Sequence, residues 1–237
     1  MSVKIASIYP TLLGTYGDGG NVAALKHLAT LHGISVEVTN VSPGQHVPHD
    51  ADIYVLGGGE DTAQSAAAAA LHASGALAEG VKNGASVLAI CAGYQILGHT
   101  FLDAEGKPSA GLALLDVTTD RLEKRAVGEL VAQPSSFAPA GLTEVFTGYE
   151  NHGGHTHLGP DAKPLATVTH GVGNGDGTEG AINGRVLGTY LHGPCLVRNP
   201  RIAERLLGWA VGRDLDHIVE AEVEALRHER LDFVTKK

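Results

Sequence analysis

The chain has 237 residues, 43% hydrophobic and 18% charged, which is enough for a substantial buried core, and no apolar run approaches the roughly 18 residues that a membrane-spanning helix needs. Its 26 acidic and 17 basic residues leave a net charge of -9 with histidine neutral, and no basic run is long enough to follow a phosphate backbone, which argues against a nucleic-acid partner. Thirty-two glycines against four phenylalanines favour alternating strands and helices with tight turns over a helical bundle.

The opening MSVKIASIYP turns polar and glycine-rich too soon for a secretory signal, so a cytosolic protein is expected. VKIASIY (3–9) reads as a strand, 21–33 as a helix stopped by Gly33, and ISVEV (34–38) as a second strand. ADIYVLGGG (51–59) is a third strand running into glycines, and the alanine-rich stretch from Ala66 through Lys82 is helical. SVLAI (86–90) has the all-apolar character of a strand buried on both faces, and a helix follows from about Ala92 to Leu97. Repeating strand, helix, strand in this way predicts a mostly parallel sheet with helices on both faces.

After residue 110 the β-like segments GLALLDVTT, EVFTGYE, LATVTH and RVLGTYL follow one another, so antiparallel pairing is expected. Asn183-Gly184 is read as a two-residue hairpin turn with both positions at positive φ. Asn199-Pro200 reads as an N-cap followed by proline at the first helical position, opening a helix to about Val211 with Ile202, Leu206, Leu207 and Ala210 on one face. A tail helix runs from Leu215 to about Phe233. There are no repeats, no disordered linker and no nucleotide-binding G-x-x-x-x-G-K-[ST] loop, so residues 1–237 are expected to form one domain with a helical tail at about 214–237.

The chemistry centres on Cys91, which ends the SVLAI strand ahead of Ala92-Gly93, small residues that allow the sharp strand-to-helix turn of a nucleophile elbow. A helix starting there offers free N–H groups and partial positive charge, favouring thiolate and able to hold an oxyanion. Taken alone, a cysteine in an apolar strand is more often a small core residue; the flanking sequence reverses that reading. Cys195 is a bystander, since a single disulfide is unexpected in a signal-less chain of this size. Gly57-Gly58-Gly59 ends a neighbouring strand with bare backbone, and its N–H groups form the expected second half of the oxyanion hole. His192, at the end of LGTYL before Gly193-Pro194, is the expected general base.

Cys91-Ala92-Gly93-Tyr94-Gln95-Ile96-Leu97-Gly98, Gly57-Gly58-Gly59-Glu60-Asp61 and Gly188-Thr189-Tyr190-Leu191-His192-Gly193 together resemble the class I glutamine amidotransferases of the cobyric acid synthase type. Tyr16-Gly17-Asp18-Gly19-Gly20-Asn21 and Gly148-Tyr149-Glu150-Asn151-His152-Gly153-Gly154 are most similar to the glutaminase subunits of lipid II isoglutaminyl synthases within that group. The resemblance implies a flavodoxin-like sandwich, Cys91 as nucleophile and His192 as base acting on L-glutamine, with Ala92, Gly58 and Gly59 at the oxyanion. It further implies Gln95 as a substrate contact and Arg125 as the grip on the substrate carboxylate, with Arg121 as the rival. No cofactor is implied for this chain. A bacterial, Mur-ligase-like partner subunit would use ATP and magnesium to amidate the D-glutamate α-carboxylate of lipid II. Amidation of cobyric acid or cobyrinate uses the same glutaminase chemistry and is the alternative; a catalytically idle binding subunit on the same fold is another.

Two features depart from this pattern or compete with it. The glutamate that many relatives carry two residues after the histidine is here Pro194, which leaves a Cys-His dyad or an acid from the partner, with Asp18 ranked behind both. His155 and His157 share one face if Asn151–His157 is extended, which invites a metal reading, but no companion ligand set supports it, and a loop near the pocket is the preferred reading of that stretch.

Overall fold

A computed structural model describes residues 2–236, so the two end positions of the expected 1–237 domain lie outside the described residues. The first hundred residues run β1 (Val3–Ile8), α1 (Gly19–Leu31), β2 (Val36–Val41), β3 (Ile53–Leu56), α2 (Asp61–Ser74), α3 (Ala76–Lys82), β4 (Ser86–Ile90) and α4 (Ala92–Leu97). The expected helix from Ala66 to Lys82 starts earlier and is broken in two, because Gly75 adopts a left-handed φ of 63° and its N–H closes on Leu71.

The remainder is β5 (Thr100–Leu102), β6 (Pro108–Ala110), β7 (Val117–Pro134), β8 (Phe146–Leu158), β9 (Ala166–His170), β10 (Thr178–Glu179), β11 (Ala181–Asn183), β12 (Val186–Thr189), α5 (Cys195–Arg198), α6 (Pro200–Val211) and α7 (Ala221–Thr235). Of GLALLDVTT only the part from Val117 is in a strand. Asn151–His157 is not a loop but the second half of β8, paired along its length with β7. The hairpin turn sits one residue later than expected: Asn183 pairs with Val186, and of the turn residues only Gly184 has positive φ. Asn199 precedes α6 but does not cap it with its side chain, which instead clasps the backbone of Thr147 and Cys195. The tail helix begins at Ala221, several residues after Leu215.

Strands order into one sheet β11-β12-β4-β3-β1-β2, parallel except for β11, and a second sheet β10-β9-β7-β5-β6 with β8 paired to β7. Every residue of β3 and β4 is buried, as strands with both faces covered must be. Helix α6 reaches β1, β3 and β4, while α4 packs on β4 and β12 with α2 against it. Ile202, Leu206 and Leu207 of α6 are fully buried, each side chain contributing about 2 kcal/mol through loss of contact with water. No helix among the described residues is long and apolar enough to cross a membrane.

Since β1, β3, β4 and β12 are parallel neighbours, their carboxyl ends open onto one edge, where α/β sheets present their ligand sites. The segments leaving that edge carry Asp18, the Gly57-Gly58-Gly59 run, Cys91 and His192. The second sheet overhangs the same edge. Between Arg121 and Ala126 the β7–β8 register slips, so that residues 122–125 bulge opposite a single residue of β8.

Candidate active site

Cys91 joins β4 to α4 with φ 50° and ψ −105°. A non-glycine residue held there stores about 1–3 kcal/mol. The buried surroundings enforce it: the Cys91 N–H donates to the Thr189 carbonyl of β12 at 2.8 Å, and the Cys91 carbonyl accepts from Gln95 N–H at 3.0 Å. This is the elbow expected from Cys91-Ala92-Gly93. Ala92, as the first residue of α4, has no intrahelical acceptor for its N–H, and Gly59 N–H also makes no hydrogen bond within the described residues.

His192 follows β12 and is fixed by a backbone bridge to Tyr149 of β8, with N–H to carbonyl bonds of 2.9 and 3.1 Å in the two directions. Its Nδ1 lies 3.2 Å from Oδ1 of Asp18. Both side chains are sealed from solvent. The carboxylate behind the histidine is therefore present within this chain, and the sequence-based preference for a dyad or a partner-supplied acid is corrected. Pro194 is simply not where the acid comes from; the turn entering α1 supplies it. The other carboxylate oxygen, Oδ2, accepts the Gly58 N–H at 2.7 Å.

That last bond revises the expected role of Gly58. Its N–H is taken by Asp18 and does not face the pocket, so of the expected oxyanion donors only Gly59 and Ala92 keep an N–H free of a hydrogen bond among the described residues. Gly58 is needed for space instead: a Cβ there would lie 2.6 Å from Cε1 of His192.

Burial works against charge on His192, but the hydrogen-bonded Asp18 carboxylate and the neighbouring Cys91 sulfur outweigh it and push its pKa up to about 9. Nε2 is buried with no other hydrogen-bond partner, which leaves it open to the proton of the thiol. Cys195, by contrast, is fully buried, and desolvation raises its thiol well above the ordinary range. Chemically, this is a thiol, a base and an orienting acid beside two unpaired backbone N–H groups.

Of these groups, Cys91, Ala92 and Gly59 line a cavity of about 430 Å³. Gln95 lines it, with its amide held at both ends: Oε1 accepts from Gln64 Nε2 at 2.8 Å and Nε2 donates to the Tyr190 hydroxyl at 3.1 Å. His152 also lines it, stacked on the Tyr190 ring at 3.7 Å. Arg125, thrown outward by the bulge in β7, reaches the cavity and donates to the Asn151 side chain at 2.8 Å and to the Tyr16 hydroxyl at 3.2 Å. Arg121 reaches the same cavity. His155 and His157 do lie on one face, with ring centroids 4.2 Å apart, but His157 turns to Asp120, and neither belongs to the three-donor grouping among the described residues, Glu144, His217 and Glu224.

The description of the CobB/CobQ-like glutamine amidotransferase domain matches residues 4–200. The chain belongs to this family. Among curated members, this amidotransferase is 37% identical over 214 residues to the lipid II isoglutaminyl synthase (glutamine-hydrolyzing) subunit GatD of Streptococcus pneumoniae, covering 88% of this chain and 80% of that one. It is 35% identical to the corresponding subunit of Staphylococcus aureus, covering 90% and 88%. The cobyric acid synthase of Sphingopyxis alaskensis is 36% identical, over 80% of this chain but only 38% of its own length. The fold is shared with a glutamine amidotransferase from Thermotoga maritima, at a TM-score of 0.58 and 15% identity, covering 99% of this chain and 93% of that one.

Several residues of the amidotransferase site escape sequence reasoning. Gln64 reaches the cavity from α2, while Asn151 and His152, in the stretch expected near the pocket, line it from a strand and not from a loop. Tyr16 places its ring edge-on to His192 at 5.0 Å between centroids. The available signal was the Tyr16-Gly17-Asp18-Gly19-Gly20-Asn21 segment, which delivers Tyr16 and Asp18 to the imidazole and Asn21 to the Leu196 N–H.

Proposed function

We propose that this chain is the glutaminase subunit of a two-subunit amidotransferase that supplies ammonia for amidation of the D-glutamate α-carboxylate of lipid II. The observation that carries the chemistry is the Cys91 elbow beside a histidine backed by Asp18. The similarity to two lipid II isoglutaminyl synthase subunits along nearly their whole length supports the pathway. Cobyric acid synthases match over about 31% to 39% of their length, so the same chemistry in that setting is the weaker reading.

In this mechanism the Cys91 thiol passes its proton to Nε2 of His192, and the thiolate attacks the side-chain carboxamide carbon of glutamine. Asp18 keeps Nδ1 protonated and stabilises the imidazolium. The N–H groups of Ala92 and Gly59 hold the oxyanion. His192 then donates its proton to the departing nitrogen, the C–N bond breaks, and ammonia leaves a γ-glutamyl thioester on Cys91. Water attacks that thioester, giving up a proton to His192, and glutamate departs as the sulfur recovers its proton. Arg125, Gln95 and Ala92 position the substrate. The chain itself brings no cofactor to these steps; a cytoplasmic, Mur-ligase-like partner would use ATP and magnesium to activate the acceptor.

The test is glutaminase turnover of wild type and Cys91→Ala, alone and with a Mur-ligase-like synthetase, lipid II and ATP. Glutamine-dependent amidation that vanishes in Cys91→Ala is expected. Undiminished hydrolysis by Cys91→Ala would exclude the thiol mechanism, and hydrolysis without lipid II amidation would exclude the pathway.

A further inference from the structure

Two hydrogen bonds converge at the cavity mouth on one hydroxyl. Tyr16 donates to Oε1 of Glu60 at 3.0 Å and accepts from the Arg125 guanidinium at 3.2 Å. Arg125 is braced from its other side by Asn151. An anion and a cation are thus held one hydroxyl apart on the rim, above the cavity that contains Cys91. Burial and the Glu60 carboxylate raise the Tyr16 pKa, which keeps the phenol as the donor in its bond to Glu60. An α-amino acid head group presents the complementary pair, an ammonium and a carboxylate on one carbon.

We infer that Glu60 receives the α-ammonium group of the substrate while Arg125 takes its α-carboxylate, with the Tyr16 hydroxyl fixing their separation. This rests on the glutaminase reading and deepens it, by naming what selects a free amino acid over other primary amides. Asp61, Asp120 and Glu123 also line the cavity, but no hydrogen bond ties any of them to Tyr16 or Arg125. Glu60 is the carboxylate that is already ordered toward the guanidinium. It follows directly on the oxyanion glycine Gly59, so a head group gripped there places the side-chain amide toward the elbow.

The experiment is calorimetric titration of the Cys91→Ala chain with L-glutamine and with its α-desamino analogue, in Glu60, Glu60→Gln and Tyr16→Phe backgrounds. Glutamine should bind more tightly than the analogue, and Glu60→Gln should reduce that preference about tenfold, as expected for a charged pair at a partly solvated rim. Tyr16→Phe, which keeps the ring against His192, should weaken glutamine binding in the same direction. A preference unchanged by Glu60→Gln overturns the assignment. Wild-type turnover of glutamine, measured in parallel, reports on the glutaminase reading itself: turnover with an unchanged preference sinks only the Glu60 assignment, whereas absence of turnover and of glutamine binding sinks both.

Discussion

Asp18 and His192 stand at nearly opposite ends of the sequence, yet Oδ1 of one lies 3.2 Å from Nδ1 of the other in a pocket closed to water. The contact sets the imidazole tautomer so that Nε2 is the nitrogen available to sulfur. Asp18→Asn retains shape but no longer holds the ring with a negative charge. Its kcat for glutamine should fall by about 10²- to 10⁴-fold, measured by ammonia release, with thermal stability changed far less. Turnover within a few-fold of wild type would show that the acid is supplied elsewhere.

The raised pKa of His192 fixes the sign of a pH effect. The charged imidazolium of His192 persists until the pH passes about 9, so kcat/KM should hold up to that range and then decline. In Asp18→Asn the decline should move to lower pH, toward the ordinary histidine value of about 6.5. The same shift contributes stability that is complete below about 6.5 and is lost as pH rises through about 9. A pH–rate profile of both proteins checks the order of the two limbs.

Gly58→Ala would bring a methyl group to within 2.6 Å of the His192 ring. Because a displacement of about 1 Å at a reacting group costs about 10²-fold in rate, kcat should drop by at least that much. Far-ultraviolet circular dichroism and a melting curve should show that the fold survives.

A glutamine-directed electrophile should label Cys91 and leave Cys195 untouched, since burial holds the latter as a neutral thiol. Cys195→Ala should retain labelling at a stability cost of about 1 kcal/mol. Mass spectrometry of the modified peptide distinguishes the two sites.

Glu179 offers a separate handle on stability. It is fully buried beneath the strand end that carries His192, accepting from the Tyr190 N–H at 2.9 Å and from the Thr189 hydroxyl, and burial pushes its pKa up to about 7. An acid raised in this way penalises the folded state once ionised. Its effect should therefore be a loss of stability as pH climbs from about 4.5 to about 7. Glu179→Gln should flatten that portion of the stability curve in denaturant titrations.

The strand-helix alternation through Leu97 and the Cys91 elbow were legible because local pattern and burial agree there: β4 is apolar throughout and lies between two parallel neighbours. His192 was legible as the end of an apolar strand. What stayed hidden depended on contacts between distant segments. Asp18 meets its histidine only because β1 and β12 are brought to one sheet edge, with β3 and β4 between them, and Gly58 reveals its role only once Asp18 is seen to accept its N–H. The loop expected at Asn151–His157 failed for a different reason. Two glycines and polar side chains disguise a strand whose ladder with β7 supplies the order that its own composition does not.

The bulge between Arg121 and Ala126 divides labour between two bodies of the molecule. Cys91, Asp18 and His192 are anchored at the edge of the parallel sheet, whereas Arg125 hangs from the long β7–β8 hairpin of its neighbour. With Arg125 in its proposed role, any influence that tilts this hairpin would change how often an amide arrives at the sulfur and leave the sulfur's own surroundings intact, so capture and cutting would be tuned by separate parts of the polypeptide.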